Sequence, residues 1–301
     1  MSGLKQLRQR IASVRSTQKM AQAMNLIATT RLRNARAAIE ATRPYAKCFD
    51  GMLTHIYARH PMAAESIPMF GGNGREDTHL LVVFTSDRGL CGGLNIGVAK
   101  MVKERLERLE QHGRRGKILC VGRKGRRLLE REHGSKIIAT IEQADYRDIE
   151  FPAAQPIAKR ILDGFNAGEF DICCQYYPRF RSILLQSPKA QQLVPARFSV
   201  TTSAADAAIY RSRGVPIHDY EPDIEGVLNK LLPHYVTAQV YRALMECSAS
   251  EEGARIAATD RATRNAGELI RKLSLSYNRQ RQASITREII EIIAGVETLT
   301  K

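Results

Sequence analysis

Proline is missing from both ends of this 301-residue chain: all 11 prolines lie between Pro44 and Pro233. Glycine is nearly as scarce there, with Gly3 alone in residues 1–43 and Gly253, Gly267 and Gly295 in residues 234–301. Inside a helix a proline costs roughly 3 kcal/mol and a glycine roughly 1 kcal/mol. Their exclusion predicts continuous helix over 4–43 and 234–299, about 60 Å and about 99 Å long at 1.5 Å per residue. No run of 18 apolar residues occurs, so no segment is suited to cross a membrane as a helix. The cysteines (Cys48, Cys91, Cys120, Cys173, Cys174, Cys247) lack metal-ligand spacing. Cys173 and Cys174 are neighbours in a predicted strand, so their side chains leave opposite faces and do not pair. A reducing compartment is the expectation.

What the ends do contain is a seam. A heptad register places Leu4, Ile11, Gln18, Asn25, Leu32 and Ile39 at one core position, and Leu7, Val14, Ala21, Ala28, Ala35 and Thr42 at the other. Gln18 and Asn25 interrupt it, while Met20, Met24 and Ile27 offer a second apolar face. At the other end Ile285, Ile289, Ile292, Val296 and Leu299 repeat in a 4-3-4-3 pattern. Upstream the expected seam shifts to Ala262, Ala266, Leu269 and Leu273, a change of register like a stutter. An antiparallel coiled coil of the two ends follows, with Leu7 nearer 265–285 than 234–245. Long helices inside an all-α domain are the plainer alternative.

Charge is uneven on top of a net +15. Lys5, Arg8, Arg10, Arg15, Lys19, Arg31, Arg33, Arg36 and Arg43 face Glu40 alone among residues 4–43. A second basic concentration covers 100–131. Such density suits an anionic partner: nucleic acid, anionic lipid or an acidic protein surface. A solvated helix face is the ordinary alternative. The Arg-rich, acid-poor start is similar in composition to an organellar transit peptide, but its unbroken heptads argue for mature structure.

The middle alternates. Short apolar runs at 79–84, 117–121, 136–141, 170–177 and 182–186 suit buried strands, and amphipathic stretches at 94–111, 124–133 and 154–166 suit helices. The pattern predicts a small α/β unit with a largely parallel sheet. Two glycine loops follow strands. In 85–95 the spacing is Gly89-x-x-Gly92-Gly93, not G-x-G-x-x-G, and no acidic residue stands where a ribose partner belongs. In 121–127, Gly122 and Gly125 sit among basic residues without the GK[ST] ending of a P-loop. Tight strand-to-helix turns account for both. No histidine is placed to complete a triad with Ser86 and Asp87.

Four segments carry a resemblance: residues 4–35, "SDRGLCGGLN" (86–95), "VGRKGR" (121–126) and, above all, "AATDRATRNAGELIRKLSLSYNRQRQASITREIIEIIAG" (257–295). In that order, from the first turn to nearly the last residue, they closely resemble the γ subunit of F-type ATP synthases. The resemblance implies an α/β fold with a long antiparallel coiled coil of the N- and C-terminal helices and a central Rossmann-like domain. It implies no catalytic, cofactor or metal residue in this chain, nucleotide sites belonging to the α and β subunits. The partners implied are α and β of the catalytic ring, ε, and the membrane rotor ring. The place implied is peripheral, on the cytoplasmic face of a bacterial inner membrane, or on the matrix side if organellar.

Roles follow position by position from the same resemblance. Arg255 and Gln282 match residues that engage a β-subunit loop, and Thr286 and Glu288 share that C-terminal motif. Met24 matches a methionine facing the lever of β, and the loop at Arg88 and Cys91 matches the segment near the acidic lever. Ile289, Ile292, Ile293 and Val296 match the apolar end that turns in a bearing. Val296 departs from the family's usual alanine, and Arg261 adds a charge. Residues 187–240 contain no cysteine, so the plastid regulatory dithiol has no counterpart. The domain map expected is a shaft helix over 1–60, the α/β domain over 76–200, a second shaft helix over 223–301, and junctions at 61–75 and 201–222. Two other classes stay open: a basic coiled-coil nucleic-acid-binding protein and a nucleotide-dependent α/β enzyme. Against the first, residues 4–43 lack aromatics for stacking bases.

Overall fold

The computed structural model describes residues 2–60, 62, 66–142, 150–196 and 223–299. The 201–222 junction lies outside the described residues, as do Pro61 and residues 63–65 of the other junction. In chain order the elements are α1 (Ser2–Arg59), α2 (Pro68–Gly71), β1 (Thr78–Phe84), α3 (Leu94–Gln111), β2 (Arg115–Val121), α4 (Arg123–His133), β3 (Ile137–Ile141), α5 (Gln155–Asn166), β4 (Ile172–Phe180), β5 (Gln186–Val194) and α6 (Ile224–Leu299). The two terminal helices run further than the proline-free spans. α1 continues through Pro44, and α6 begins ahead of Pro233. Burial of Phe49, Leu53 and Ile56 on one side, and of Leu228, Leu232 and Val236 on the other, offsets each missing hydrogen bond.

Two compact units are present, one of Met1–Thr29 with Arg255–Lys301 and one of Thr30–Ala254. Both long helices contribute to both units.

The larger unit is built on a five-stranded sheet of order β3-β2-β1-β4-β5. β1 pairs in parallel with β2 and β4, β2 with β3, and β5 is an antiparallel edge on β4. Period-two alternation sends Leu80, Val82 and Phe84 to one face and Leu81 and Val83 to the other. The first face packs on α5 and on the parts of α1 and α6 that lie in this unit, through Leu53, Ile157, Ile161, Leu232 and Val240. The second face is covered by α3 and α4 through Val98, Val102, Leu106 and Leu129. Cys173 belongs to the first core and Cys174 packs on the second, so these neighbours point apart as strand geometry requires.

One strand expectation fails. Residues 182–185 are not a buried strand but the turn between β4 and β5, which Gln186 opens, with Leu184 81% exposed. Apolar content without alternation does not distinguish a core strand from an exposed apolar turn. The second strand of the hairpin, Gln186–Val194, is instead polar and half-buried, as suits an edge.

The smaller unit is a helix pair. Among residues 3–30, the positions that escape full exposure are the heptad positions plus Met24. Partners run backwards: Gly3 lies against Gln280, Gln18 against Thr263, and Asn25 against Ile256. The pair is therefore antiparallel, and Leu7 falls on the 265–285 side. The seam on α6 differs from expectation. Thr263, Ala266, Ile270, Leu273 and Tyr277 are partly buried, whereas Ala262 and Leu269 are exposed. Gln18 crosses to the Thr263 carbonyl at this point of the seam.

Candidate interaction surfaces

The polar breaks in the seam are cross-helix ties. The Asn25 Nδ2 donates to the Ile256 carbonyl and to the Thr259 hydroxyl, each at 3.1 Å. The Gln18 Nε2 donates to the Thr263 carbonyl at 3.3 Å. A one-turn slip of either helix would strand these groups between apolar neighbours, so they fix register as well as packing.

Beyond Gln280, which lies opposite Gly3, no described residue of α1 faces α6. Ile285, Ile289, Ile290, Ile292, Ile293 and Val296 are all exposed. The stripe that repeats at 285, 289, 292 and 296 is thus not a seam with α1. Gln282, Thr286, Ile289 and Ile293 share one face of this stretch by their i, i+4, i+7 spacing. The Ser284 hydroxyl donates to Glu288 at 3.2 Å. Arg255 is buried and stands roughly 40 Å from Gln282 along the same helix. The two positions cannot serve one small loop together. Met24 is half-buried beside Asn25.

The two glycine loops close on themselves. The Ser86 N–H donates to Asn95 Oδ1 at 3.0 Å, and the Asn95 Nδ2 donates to Ser86 Oγ at 2.8 Å and to the Cys91 sulfur at 3.3 Å. Cys91 is thereby buried, while Arg88 in the same loop is exposed. In the second loop the Arg123 N–H donates to Asp87 Oδ1, the Lys124 N–H to the Ser86 carbonyl and the Gly125 N–H to Thr85 Oγ1. These are the N–H groups a phosphate cradle would direct outward. Gly122 has φ +108°, and a Cβ there would lie 2.0 Å from the Thr85 carbonyl oxygen. Its freedom serves close strand-to-loop packing and not ligand approach. Asn95 was invisible in the sequence as a functional position; an amide in the first turn of a helix, just after a Gly-Gly pair, is the signal that could have marked it.

Burial pushes the Cys120 thiol up to about 11 and raises Cys173 as well, so both stay protonated and inert. Among the described residues no group of His, Cys, Asp and Glu has the arrangement of a metal site, and no helix is long and apolar enough to cross a membrane.

The comparisons with known proteins agree with this geometry. The chain is 45% identical to the ATP synthase gamma chain of Chelativorans sp. over 299 residues, covering 99% of this chain and all of that one. It is 46% identical to the ATP synthase gamma chain of Rhizobium leguminosarum bv. trifolii over 300 residues, with the same coverage. A family model described as ATP synthase matches residues 3–299. The chain belongs to the ATP synthase gamma-chain family. Chains from solved ATP synthase structures are similar in fold. A chain of the Euglena gracilis mitochondrial ATP synthase (OSCP/F1/c-ring, rotational state 3) superposes with a TM-score of 0.68 at 17% identity, over 99% of this chain and 95% of that one. One from the central stalk/c-ring of the Tetrahymena thermophila enzyme gives 0.62 at 24% identity, over 81% and 99%. At those identities the likeness is one of fold.

Proposed function

We propose that the chain is the central-stalk rotor subunit of an F-type ATP synthase, carrying torque between a membrane rotor ring and the catalytic β subunits. The observation that carries this reading is the helix that outlasts its partner: an antiparallel pair with cross-helix ties, then a single helix presenting isoleucines to solvent. A shaft needs the first part to be stiff in twist. Its end needs few directional bonds, so that turning breaks little.

Magnitudes favour many weak contacts. One charge moved through 100 mV yields about 2.3 kcal/mol, so roughly three charges at about 150 mV supply on the order of 10 kcal/mol per ATP. An exposed ion pair contributes about 0–1 kcal/mol. Torque therefore spreads over basic positions such as Arg33 and Arg88 against acidic levers. Met24, Arg88, Gln282, Thr286 and Glu288 are the proposed β-facing positions, while Cys91 and Arg255, both buried, would act from beneath that surface, in at least two separate places given the spacing of Arg255 and Gln282. Ile289, Ile292, Ile293 and Val296 form the proposed bearing end. In this reading the chain holds no catalytic group, meets α, β, ε and the rotor ring, and sits peripherally at the membrane face that carries the catalytic ring.

The test is reconstitution. Purified chain alone should show no ATP hydrolysis, and adding it to α and β subunits should yield a complex that rotates on ATP. Hydrolysis by rigorously pure chain, or a complex that forms without turning, would overturn the reading. Internal use of some basic residues weighs against a nucleic-acid role: Arg31 lies 3.7 Å from Glu252, and the Arg36 guanidinium stacks 5.3 Å above the Phe180 ring.

A further inference from the structure

β4 outruns its neighbour. Val83 near the end of β1 pairs with Tyr176, yet β4 continues to Phe180 before turning, which carries the hairpin roughly 10 Å past β1. The projecting turn is ordered. The Leu185 N–H donates to the Ser182 carbonyl and the Arg181 N–H to the Leu185 carbonyl, each near 3.2 Å. The Gln186 Nε2 donates to the carbonyls of Ser182 at 2.9 Å and Ile183 at 2.6 Å. Its base is clamped to α6. The Phe180 N–H donates to Glu246 Oε2 at 2.8 Å, and the Ser250 hydroxyl donates to the Pro178 carbonyl at 2.9 Å. A Cβ on Gly253 would come within 2.9 Å of the Phe180 ring, so the hairpin rests directly on helix backbone.

At the end of this fixed arm three consecutive apolar side chains face solvent: Ile183, Leu184 at 81% and Leu185 at 55%. A turn that only joins strands carries polar turn residues. Three exposed apolar residues in a row are a liability unless something covers them. The flanks are basic, with Arg179 and Arg181 exposed and no carboxylate between Arg179 and Lys189. The Glu246 carboxylate at the base is committed to backbone.

We infer that this hairpin tip is a preformed docking knob for an apolar patch rimmed by carboxylates on another protein subunit of the complex. The inference rests on the stalk reading and adds a contact made by the α/β unit. The charge pattern selects the occupant. Two exposed arginines fall short of the four to eight basic residues that recognise anionic membranes. A second copy of a chain of net charge +15 would set basic surface against basic knob. An acidic rim around an apolar centre satisfies both halves of the tip, in the usual arrangement of a protein interface. Because the knob is rigid, little ordering entropy opposes docking.

The test places a benzophenone side chain at position 184 in the full chain, assembled with purified α, β and ε subunits, and maps the adducts after irradiation. The expected adduct lies on a partner segment where at least two carboxylates adjoin apolar residues. In a second arm, the double variant Leu184→Ser/Leu185→Ser should keep the melting temperature of the isolated chain but leave the complex on the order of ten-fold faster. The variant Arg179→Gln/Arg181→Gln should lose part of the salt sensitivity of assembly. No adduct, an adduct to a second copy or to an acid-free segment, unchanged retention of the Leu variant, or Leu184-dependent binding to phosphatidylglycerol vesicles would each overturn the inference. If the unmodified chain fails to assemble, the stalk reading falls with it. If the complex assembles and turns without the adduct, only the docking knob falls.

Discussion

Two stretches of α6 invert the usual relation between polarity and burial. From Glu246 to Thr259 the buried residues include Glu246, Ser248, Ser250, Glu251, Glu252, Arg255 and Thr259. From Ile285 to Val296 the exposed residues include six large aliphatics. In an ordinary globular helix the two compositions would be exchanged. Part of the polar stretch is held by partners: the Phe180 N–H donates to Glu246, the Ser250 hydroxyl donates to the Pro178 carbonyl, and Arg31 lies 3.7 Å from Glu252, while Glu251 and Glu252 each keep one buried carboxylate oxygen without a hydrogen bond. Among the described residues, α1 does not reach opposite the apolar stretch. The first belongs to a protein that holds itself together. The second has the composition of a surface that, in the proposed reading, another molecule completes.

The sharpest way to break that contrast is Ile292→Asp. In the isolated chain Ile292 is 66% exposed, so the change should move stability by no more than about 0.5 kcal/mol. In an assembled complex it would bury an unpaired carboxylate in the proposed bearing, a penalty of several kcal/mol. ATP-driven rotation or coupled proton pumping should be lost or strongly reduced, while Arg33→Ala, one weak contact among many, should change little. The opposite ranking, with Arg33→Ala uncoupling the complex and Ile292→Asp turning normally, would remove both the bearing and the distributed torque.

Next in size is the buried acid. Glu246→Ala leaves the Phe180 N–H without its acceptor and should cost about 1–3 kcal/mol. At about 2–4 °C per kcal/mol for a domain of this size, the melting temperature should fall by several degrees. Glu288→Ala, in the exposed stretch, should stay within about 0.5 kcal/mol. Equal melting temperatures for the two variants would show that the polar stretch is not held by the contacts named.

The same contrast explains how much could be read from sequence. The α1 seam was legible to the residue, since every heptad position from Leu4 to Thr42 faces inward or partly so, although Met20, Leu26 and Ile27 between them are exposed. The α6 seam was misread at Ala262 and Leu269 because apolarity does not mark an inward position where the partner presents glutamine and asparagine. The stripe at 285–296 was legible as apolar, but sequence alone did not say that α1 ends before reaching it. Residues 182–186 failed for a related reason: three apolar residues look alike in a core strand and on an exposed turn. Closure of the second glycine loop depends on Asp87 and Thr85 meeting the N–H groups of Arg123 and Gly125, 36 and 40 residues on, which local spacing does not encode. What resemblance added was the C-terminal motif, whose exposed isoleucines have no explanation within this chain.

A moderate effect belongs to the seam. Asn25→Ala removes donors to the Ile256 carbonyl and the Thr259 hydroxyl and should cost about 1 kcal/mol. Disulfide trapping between cysteines introduced along the two helices should then find neighbouring registers populated beside the native one. If the native pairing alone is trapped in the variant, packing by Ala21, Ala28 and their partners sets register without the amide.

The smallest effect concerns a buried group that lacks what Glu246 has. His79 lies in β1 with neither ring nitrogen hydrogen-bonded, and its pKa is lowered, first by burial and then by the Arg105 and Arg114 charges. The folded chain therefore holds the ring neutral where the unfolded chain, near the ordinary value of about 6.5, takes a proton. Above that value both states are neutral and His79 adds no pH dependence. As pH falls from about 6.5 toward the lowered folded value, the unfolded state binds more protons and stability declines, levelling once the folded ring also protonates. Urea midpoints at pH 7.5 and 5.5 should thus differ for the unmodified chain, and His79→Leu should shrink the difference by removing the titrating group. The window stays above the range where most carboxylates titrate, which keeps their contribution small. If His79→Leu shows the same loss between the two pH values, the decline arises elsewhere, and buried polar groups in this unit are harmless whether or not they have partners.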